Sequence, residues 1–268
     1  MSDQQLGFTL APPPGGKILH TSDRATVIWG DCRDAEVIAQ VPAGYGLLAT
    51  DPPYGVAYRS NFGSNFAQIA GDDGSVDWPD VLAEWVGPEG TDSRGTNPRG
   101  LANARHVYVF GYAPEQLEGP LRLGATVECV WDKQMTGMGD LSLPWGPEHE
   151  RITFGVHIKY KSNRQRGAGR LSARLRRGSV LRYPRPNSSA VTRHSNEKPV
   201  PLMADMIESS TVRGDLVVDP CAGSGSTGVA AVLEGRRCFL VEVDQRSAEL
   251  CVDRVQRAEH LADQMSAA

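Results

Sequence analysis

The sequence predicts an α/β fold, a largely parallel sheet with helices packed on it. Three observations carry this. Short apolar runs alternate with segments of helical spacing from about residue 24 to the end of the chain. Four of the runs stop at a carboxylate: Asp31, Asp51, Asp219 and Glu242. A glycine-rich stretch, "VVDPCAGSGSTG" at 217–228, joins one run to a helical segment, as ligand-binding strand–loop–helix turns do.

Taken in order, residues 1–16, with "APPPGG", read as a disordered lead-in, and 17–268 as a single domain. "RATVIWGDC" is a strand ending at Gly30-Asp31, and "RDAEVIAQV" a short helix. "YGLLATDPPYG" is a second strand. Proline donates nothing to a sheet ladder and pushes the preceding residue away from helix, so the strand stops near Thr50. Asp51-Pro52-Pro53-Tyr54 then forms a stiff corner at its carboxyl end. Polar loops are expected over 55–77 and 87–100, around a helix "WPDVLAEWVG". "RHVYVFG", "ATVECVWDK" and "RITFGVHIKY" read as strands, the first two separated by a helix "APEQLEGPLRL". In "EKPVPLMADMIESST", Leu202, Met203, Met206 and Ile207 stand at helical spacing. "DLVVDP", "SGSTGVAAVLEG" and "RRCFLVEVD" give strand, helix and strand, and "RSAELCVDRVQRAEHLADQM" a closing helix.

Composition narrows the function classes. The 268 residues, 40% hydrophobic and 22% charged, are ordinary for a globular chain with a full core. No apolar run approaches the roughly 20 residues of a membrane span, and no charged-then-apolar leader opens the sequence. The five cysteines are odd in number and show no CxxC pair, which argues against a disulfide framework or a zinc site. No metal is expected, no membrane partner, and the cytoplasm is the expected setting. Net charge is −4, but it is unevenly placed. Of the 28 Lys and Arg, ten lie within 159–185, which holds no Asp or Glu. An acidic body with one basic segment is built to meet a polyanion.

Two ligands compete for the glycine loop. Gly223, Gly225 and Gly228 satisfy GxGxxG with Glu242 following 19 residues after Gly223, the spacing of a dinucleotide fingerprint and so of an NAD-dependent oxidoreductase. Asp219, however, stands where a pyrophosphate would approach the helix N-terminus and would repel it. A ligand with a cationic amino-acid end and a ribose, such as S-adenosylmethionine, fits the acid better.

With "DPPY" and "DPCAGSGST" both present, the chain resembles the amino-group DNA methyltransferases, the N-4/N-6 methylases, in the permuted order of the beta class. Cys221 stands where that family usually has an aromatic. Weaker likenesses are "GDC", "WDK", "GMG", "HE" and "HSNEKP". The resemblance covers roughly residues 24–257. It implies a Rossmann-like S-adenosylmethionine-dependent methyltransferase fold: a mixed, mostly parallel seven-stranded sheet with helices on both faces and a circularly permuted motif order. It places the strand before Asp31 beside the strand before Glu242. It assigns Asp31 and the backbone at Cys32 to the cofactor adenine, Glu242 to the ribose, and Asp219, Gly223, Gly225, Ser226 and Thr227 to the methionine moiety. Lys198 would face the cofactor carboxylate, against the plain alternative of a solvated surface lysine.

Asp51 and the Pro52 carbonyl would accept both N–H bonds of an exocyclic amine, and Pro53 would fix the chain direction. Tyr54 would stack on a base flipped out of the duplex. An Asp-first tetrad leans to adenine N6; cytosine N4, RNA adenine N6 and a non-catalytic DNA-binding relative are the alternatives. Double-stranded DNA is the implied partner, with a cognate restriction endonuclease as a second. The basic insert at about 159–193, read as a helix with loose flanks, would put Lys159, Lys161, Arg164, Arg166, Arg170, Arg174, Arg176 and Arg177 on DNA phosphates. Tyr58, Phe62 and Phe66 would either flank the flipped base or pack a closing loop.

Overall fold

A computed structural model describes residues 11–55, 71–87, 105–136, 142–157, 177–186 and 197–267. Tyr58, Phe62, Phe66, the "GMG" at 137–139, and insert residues Lys159 to Arg176 lie outside them.

The described strands are β1 (Lys17–Thr21), β2 (Ala25–Trp29), β3 (Leu47–Thr50), β4 (Arg105–Phe110), β5 (Leu123–Asp132), β6 (His149–His157), β7 (Val180–Arg182), β8 (Leu216–Asp219) and β9 (Arg237–Glu242). They form one sheet in the order β1-β2-β9-β8-β3-β4-β6-β5-β7. Neighbours from β2 to β4 are parallel, β6 runs antiparallel to both β4 and β5, and β1 antiparallel to β2. The expected count of seven is thus corrected to nine. The seven from β2 to β5 are those the resemblance implies, and β1 and β7 extend the two edges. β7 lies inside the expected basic insert. There residues 180–182 pair in parallel with β5, a strand the sequence reading did not include.

The helices are α1 (Ala35–Ile38), α2 (Trp78–Val86), α3 (Pro114–Leu117), α4 (Val200–Ser210), α5 (Ser226–Leu233) and α6 (Gln245–Ala267). Two N-termini are set by acids: Asp34 accepts from the Glu36 amide at 2.8 Å, and Asp77 caps α2. α3 is a single turn where a longer helix was expected, because the residue before Pro120 is excluded from helical backbone.

Successive strand residues face opposite sides of the sheet, and both sides are covered. Val27, Leu47, Ala49, Val217 and Leu240 pack with α4, α5 and α6. Ile28, Leu48, Val218, Phe239 and Val241 pack with α1 and α2. Every residue of β3, β4 and β8 is buried, so each strand carries a run of consecutive apolar residues: Leu47–Ala49, Val107–Phe110 and Leu216–Val218. Part of the expected lead-in is tied to this body: the Gly15 amide donates to Asp34 Oδ2 at 2.7 Å, and Gln40 Nε2 donates to the Gly15 carbonyl at 2.7 Å.

The topology locates a ligand site. After β8 the chain passes through α5 on one face and moves outward to β9. After β3 it passes through α2 on the other face and moves the opposite way to β4. The connections diverge between β8 and β3, and in such sheets ligands bind in a crevice beyond the carboxyl ends of the strands at that point.

Candidate active site

Four neighbouring strands, β2, β9, β8 and β3, bring Asp31, Glu242, Asp219 and Asp51 to one edge in that spatial order. Trp29 is in register with Glu242, so the first and last strands of the crevice are partners despite lying at opposite ends of the chain.

At the corner after β3, Pro52 is buried, and the Pro53 carbonyl accepts from the Tyr112 hydroxyl at 2.8 Å. Tyr54 exposes 38% of its surface, stands edge-on to Tyr112 with centroids 6.4 Å apart, and donates its hydroxyl to Asp51 Oδ1. Burial, then the carboxylates of Asp51 and Glu150, push the Tyr54 phenol far above its usual range, so it remains a donor. The other oxygen of Asp51, Oδ2, lies 2.5 Å from Lys198 Nζ.

Lys198 is not a solvated surface residue. It is 8% exposed, and its ammonium bridges Asp51 and Glu150, the latter at 3.1 Å from Oε2. Glu150 Oε1 is 2.8 Å from Lys133. Burial works against the charge of Lys198, but Asp51 and Glu150 outweigh it and raise its pKa. Burial likewise pushes Glu150 up, while Lys198 and Lys133 hold it below the usual carboxylate value.

The glycine loop is held from both sides. Gly225 caps α5 at φ 83°, and a Cβ there would lie 2.6 Å from Cys251 Sγ, so only glycine fits. The Gly223 amide donates to Glu242 Oε2 at 2.7 Å, and Glu242 Oε1 accepts from the Asp244 amide at 2.8 Å. Burial raises the Glu242 pKa to about 7. Asp219 accepts from the Cys221 amide at 3.1 Å and from the Thr227 hydroxyl at 2.6 Å, and burial raises it to about 6. Asp219 and Thr227 therefore brace the loop. Ser226 Oγ is different, being buried with no hydrogen-bond partner among the described residues.

Across the crevice, burial acts upward on Asp31, but a two-pronged Arg33 contact with Nη2 at 2.5 Å from Oδ2 holds its pKa below the usual value. The Cys32 carbonyl is fixed by Trp85 Nε1 at 2.8 Å. Arg177, expected on a phosphate, is engaged with Asp205 at 2.9 Å and Glu208 at 3.5 Å on α4.

Sequence reasoning missed several of these groups. Lys133 and Glu150 stood within "WDK" and "HE", but nothing in the spacing pointed them at Asp51. Arg254 of α6 was missed as well. It donates to the Ser224 carbonyl at 2.8 Å and pairs with Glu197 at 2.6 Å, tying the glycine loop to the segment that delivers Lys198. Among the described residues no helix is long and apolar enough to cross a membrane.

Comparison with known proteins agrees with this geometry. The DNA methylase family matches residues 122–253, which include the glycine loop and Glu242 and set aside the dinucleotide reading. DNA adenine methyltransferase YhdJ of Escherichia coli (strain K12) is 26% identical over 267 residues, covering 89% of this chain and 85% of its own. The complex of M1.HpyAVI with SAM superposes with a TM-score of 0.54 at 19% identity, over 86% of this chain and 98% of that one. The cytosine-N4-specific PvuII DNA methyltransferase gives 0.61 at 14% identity, over 94% and 96%. At such identities the two structures speak for the fold.

Proposed function

The chain belongs to the N6/N4 family of DNA methylases, and from that premise we propose that it methylates N6 of an adenine flipped out of double-stranded DNA. The observation that carries this reading is the corner at Asp51. A carboxylate, a proline backbone and an exposed tyrosine ring stand together beside the topological switch point, within reach of the glycine loop. The full-length similarity to an enzyme named as an adenine methyltransferase favours adenine over cytosine.

The loop suits S-adenosylmethionine. Ser226 Oγ, buried and unpartnered at the first turn of α5, is ready for the polar amino-acid end, and Glu242 and Asp31 hold the positions for ribose and adenine. When bound, S-adenosylmethionine supplies an electrophilic methyl group. The chain's own residues do the rest. An exocyclic amine is a poor nucleophile because its lone pair is conjugated into the ring. Asp51 and the Pro52 carbonyl, as fixed acceptors for its two N–H bonds, draw the nitrogen toward tetrahedral geometry. Tyr54 offers its ring face to the base, and its hydroxyl leaves Asp51 Oδ1 as the amine arrives.

Lys159, Lys161, Arg164, Arg166, Arg170, Arg174 and Arg176 supply the basic surface for phosphates. The five free cysteines fit a cytoplasmic setting, and a restriction endonuclease reading the same sequence is the natural companion activity.

The test is to incubate the protein with plasmid DNA from a methylation-free host and S-adenosylmethionine labelled at the methyl group, then hydrolyse the DNA. Label in N6-methyl-2′-deoxyadenosine is the expected result. Label in N4-methyl-2′-deoxycytidine, or none in DNA but some in an RNA offered in a parallel incubation, would overturn the adenine-DNA assignment.

A further inference from the structure

Asp51 Oδ2 begins a row of alternating charge that runs across three strands: Asp51 after β3, Lys198 before α4, Glu150 in β6 and Lys133 after β5. The contacts are 2.5, 3.1 and 2.8 Å. The row is sheltered. Lys198 and Lys133 are each 8% exposed, and aromatic faces line them. Lys198 Nζ is 5.0 Å from the Phe110 ring centroid and 5.8 Å from that of Trp131, and Lys133 Nζ is 5.4 Å from Trp131. We propose that Lys198, Glu150 and Lys133 are positioning residues for methyl transfer, a charge row that pins Asp51 by Oδ2 and turns Oδ1 toward the target amine. The proposal rests on Asp51 being the amine acceptor.

A carboxylate is a stronger acceptor than a neutral carboxyl, and it presents Oδ1 to the target in one rotamer only. Asp51 is faced by Tyr54 on its own corner, Tyr112 after β4, Glu150 of β6, Asp219 of β8 and Lys198 before α4. Lys198 is the only cation named among them. Without it Asp51 would face two carboxylates with no counter-charge among these groups. Glu150 has the opposite duty. By taking a share of the Lys198 ammonium it leaves Asp51 with acceptor strength for the amine, and Lys133 balances Glu150 in turn. The resting structure also shows which oxygen is presented. Lys198 covers Oδ2, while among the described residues Oδ1 accepts from the Tyr54 hydroxyl, a donor that the amine N–H can replace.

Removing the charge of Lys198 and removing that of Glu150 should change the hold on Asp51 Oδ2 in opposite directions, and the experiment uses that. Single-turnover methylation of plasmid DNA from a methylation-free host is measured against pH for wild type, Lys198→Met, Lys198→Arg and Glu150→Gln, with S-adenosylmethionine affinity measured alongside. Lys198→Met should slow transfer about 10²–10³-fold near neutral pH. It should move the acid limb of the profile to higher pH and bind S-adenosylmethionine within about twofold of wild type, as a group outside the cofactor site must. Lys198→Arg should restore most of the rate and the wild-type limb. Glu150→Gln leaves the ammonium wholly on Asp51, so its limb should move to lower pH. That variant alone decides the matter if Lys198→Met does not fold. Unmoved limbs in both variants would overturn the proposal, as would a loss of cofactor affinity in Lys198→Met, which would return Lys198 to the cofactor carboxylate. A wild-type protein that binds S-adenosylmethionine but methylates no DNA would instead overturn the underlying reading of Asp51.

Discussion

Gly111 lies flat against the ring of Tyr54. It ends β4 at φ 80°, and a Cβ built on it would collide with three ring carbons of Tyr54. The tyrosine proposed to stack on the target base is thus seated on bare backbone from the neighbouring strand, and its ring position is set by the absence of a side chain at 111.

Gly111→Ala follows as the first test of this seating. The added methyl must push Tyr54 away, and a left-handed backbone costs a non-glycine residue about 1–3 kcal/mol. Methylation should fall about 10-fold or more while S-adenosylmethionine affinity stays at the wild-type level, since one stacked base contact is worth about 1–3 kcal/mol. Single-turnover rates, with fluorescence of 2-aminopurine at the target position, separate stacking from chemistry.

Cofactor binding should strengthen as pH rises. Burial raises Glu242 to about 7 and Asp219 to about 6, both above their values in an unfolded chain. The folded protein therefore holds protons that the unfolded chain has released. These two groups favour folding at acid pH, and that contribution is lost as pH rises toward 7. A Glu242 that must ionise to accept ribose hydroxyls reverses this trend for the complex. The thermal stabilisation given by S-adenosylmethionine should be larger at pH 8 than at pH 6, and Glu242→Gln should flatten the difference.

Arg254→Met should lower stability and cofactor affinity together. Arg254 and Glu197 are sheltered partners at 2.6 Å, and breaking such a pair typically costs about 3–5 kcal/mol. The same guanidinium holds Ser224 of the glycine loop, at 2.7 Å from its hydroxyl. A drop in melting temperature with a raised dissociation constant for S-adenosylmethionine is the expected pair of results.

Salt dependence separates the basic residues. Each phosphate contact removed should reduce the slope of log affinity against log salt by about 0.9. Replacing Arg164 and Arg166 with Ala should flatten the slope. Arg177→Ala should leave it nearly unchanged, because that guanidinium already answers Asp205 and Glu208.

Local chemistry made part of this molecule legible in the sequence. Asp51-Pro52-Pro53 ends β3 because proline allows nothing else, and the buried strands β3, β4 and β8 announce themselves as apolar runs. The partnership of β2 with β9 was legible only through motif order, since nothing local to Trp29 points to Glu242. The edge strands were not legible. "KILHT" is short and half exposed, and "VLR" is three residues within a basic stretch whose charge dominated its reading. The contacts of Lys198 with Asp51 and Glu150 were missed for a geometric reason. The three meet only after β3, β6 and the entry to α4 converge, and nothing local to Lys198 or Glu150 points to Asp51. The same holds for Arg33, which reads as part of a helix start yet closes on Asp31.

The most direct measurement is single-molecule sequencing of plasmid from a methylation-free host expressing either the wild-type protein or Asp51→Ala. The wild type should leave N6-methyladenine in one fixed sequence context, and Asp51→Ala, folded and still binding DNA and S-adenosylmethionine, should leave none. Methylation by Asp51→Ala at a rate near that of wild type would contradict the account, as would N4-methylcytosine in place of N6-methyladenine.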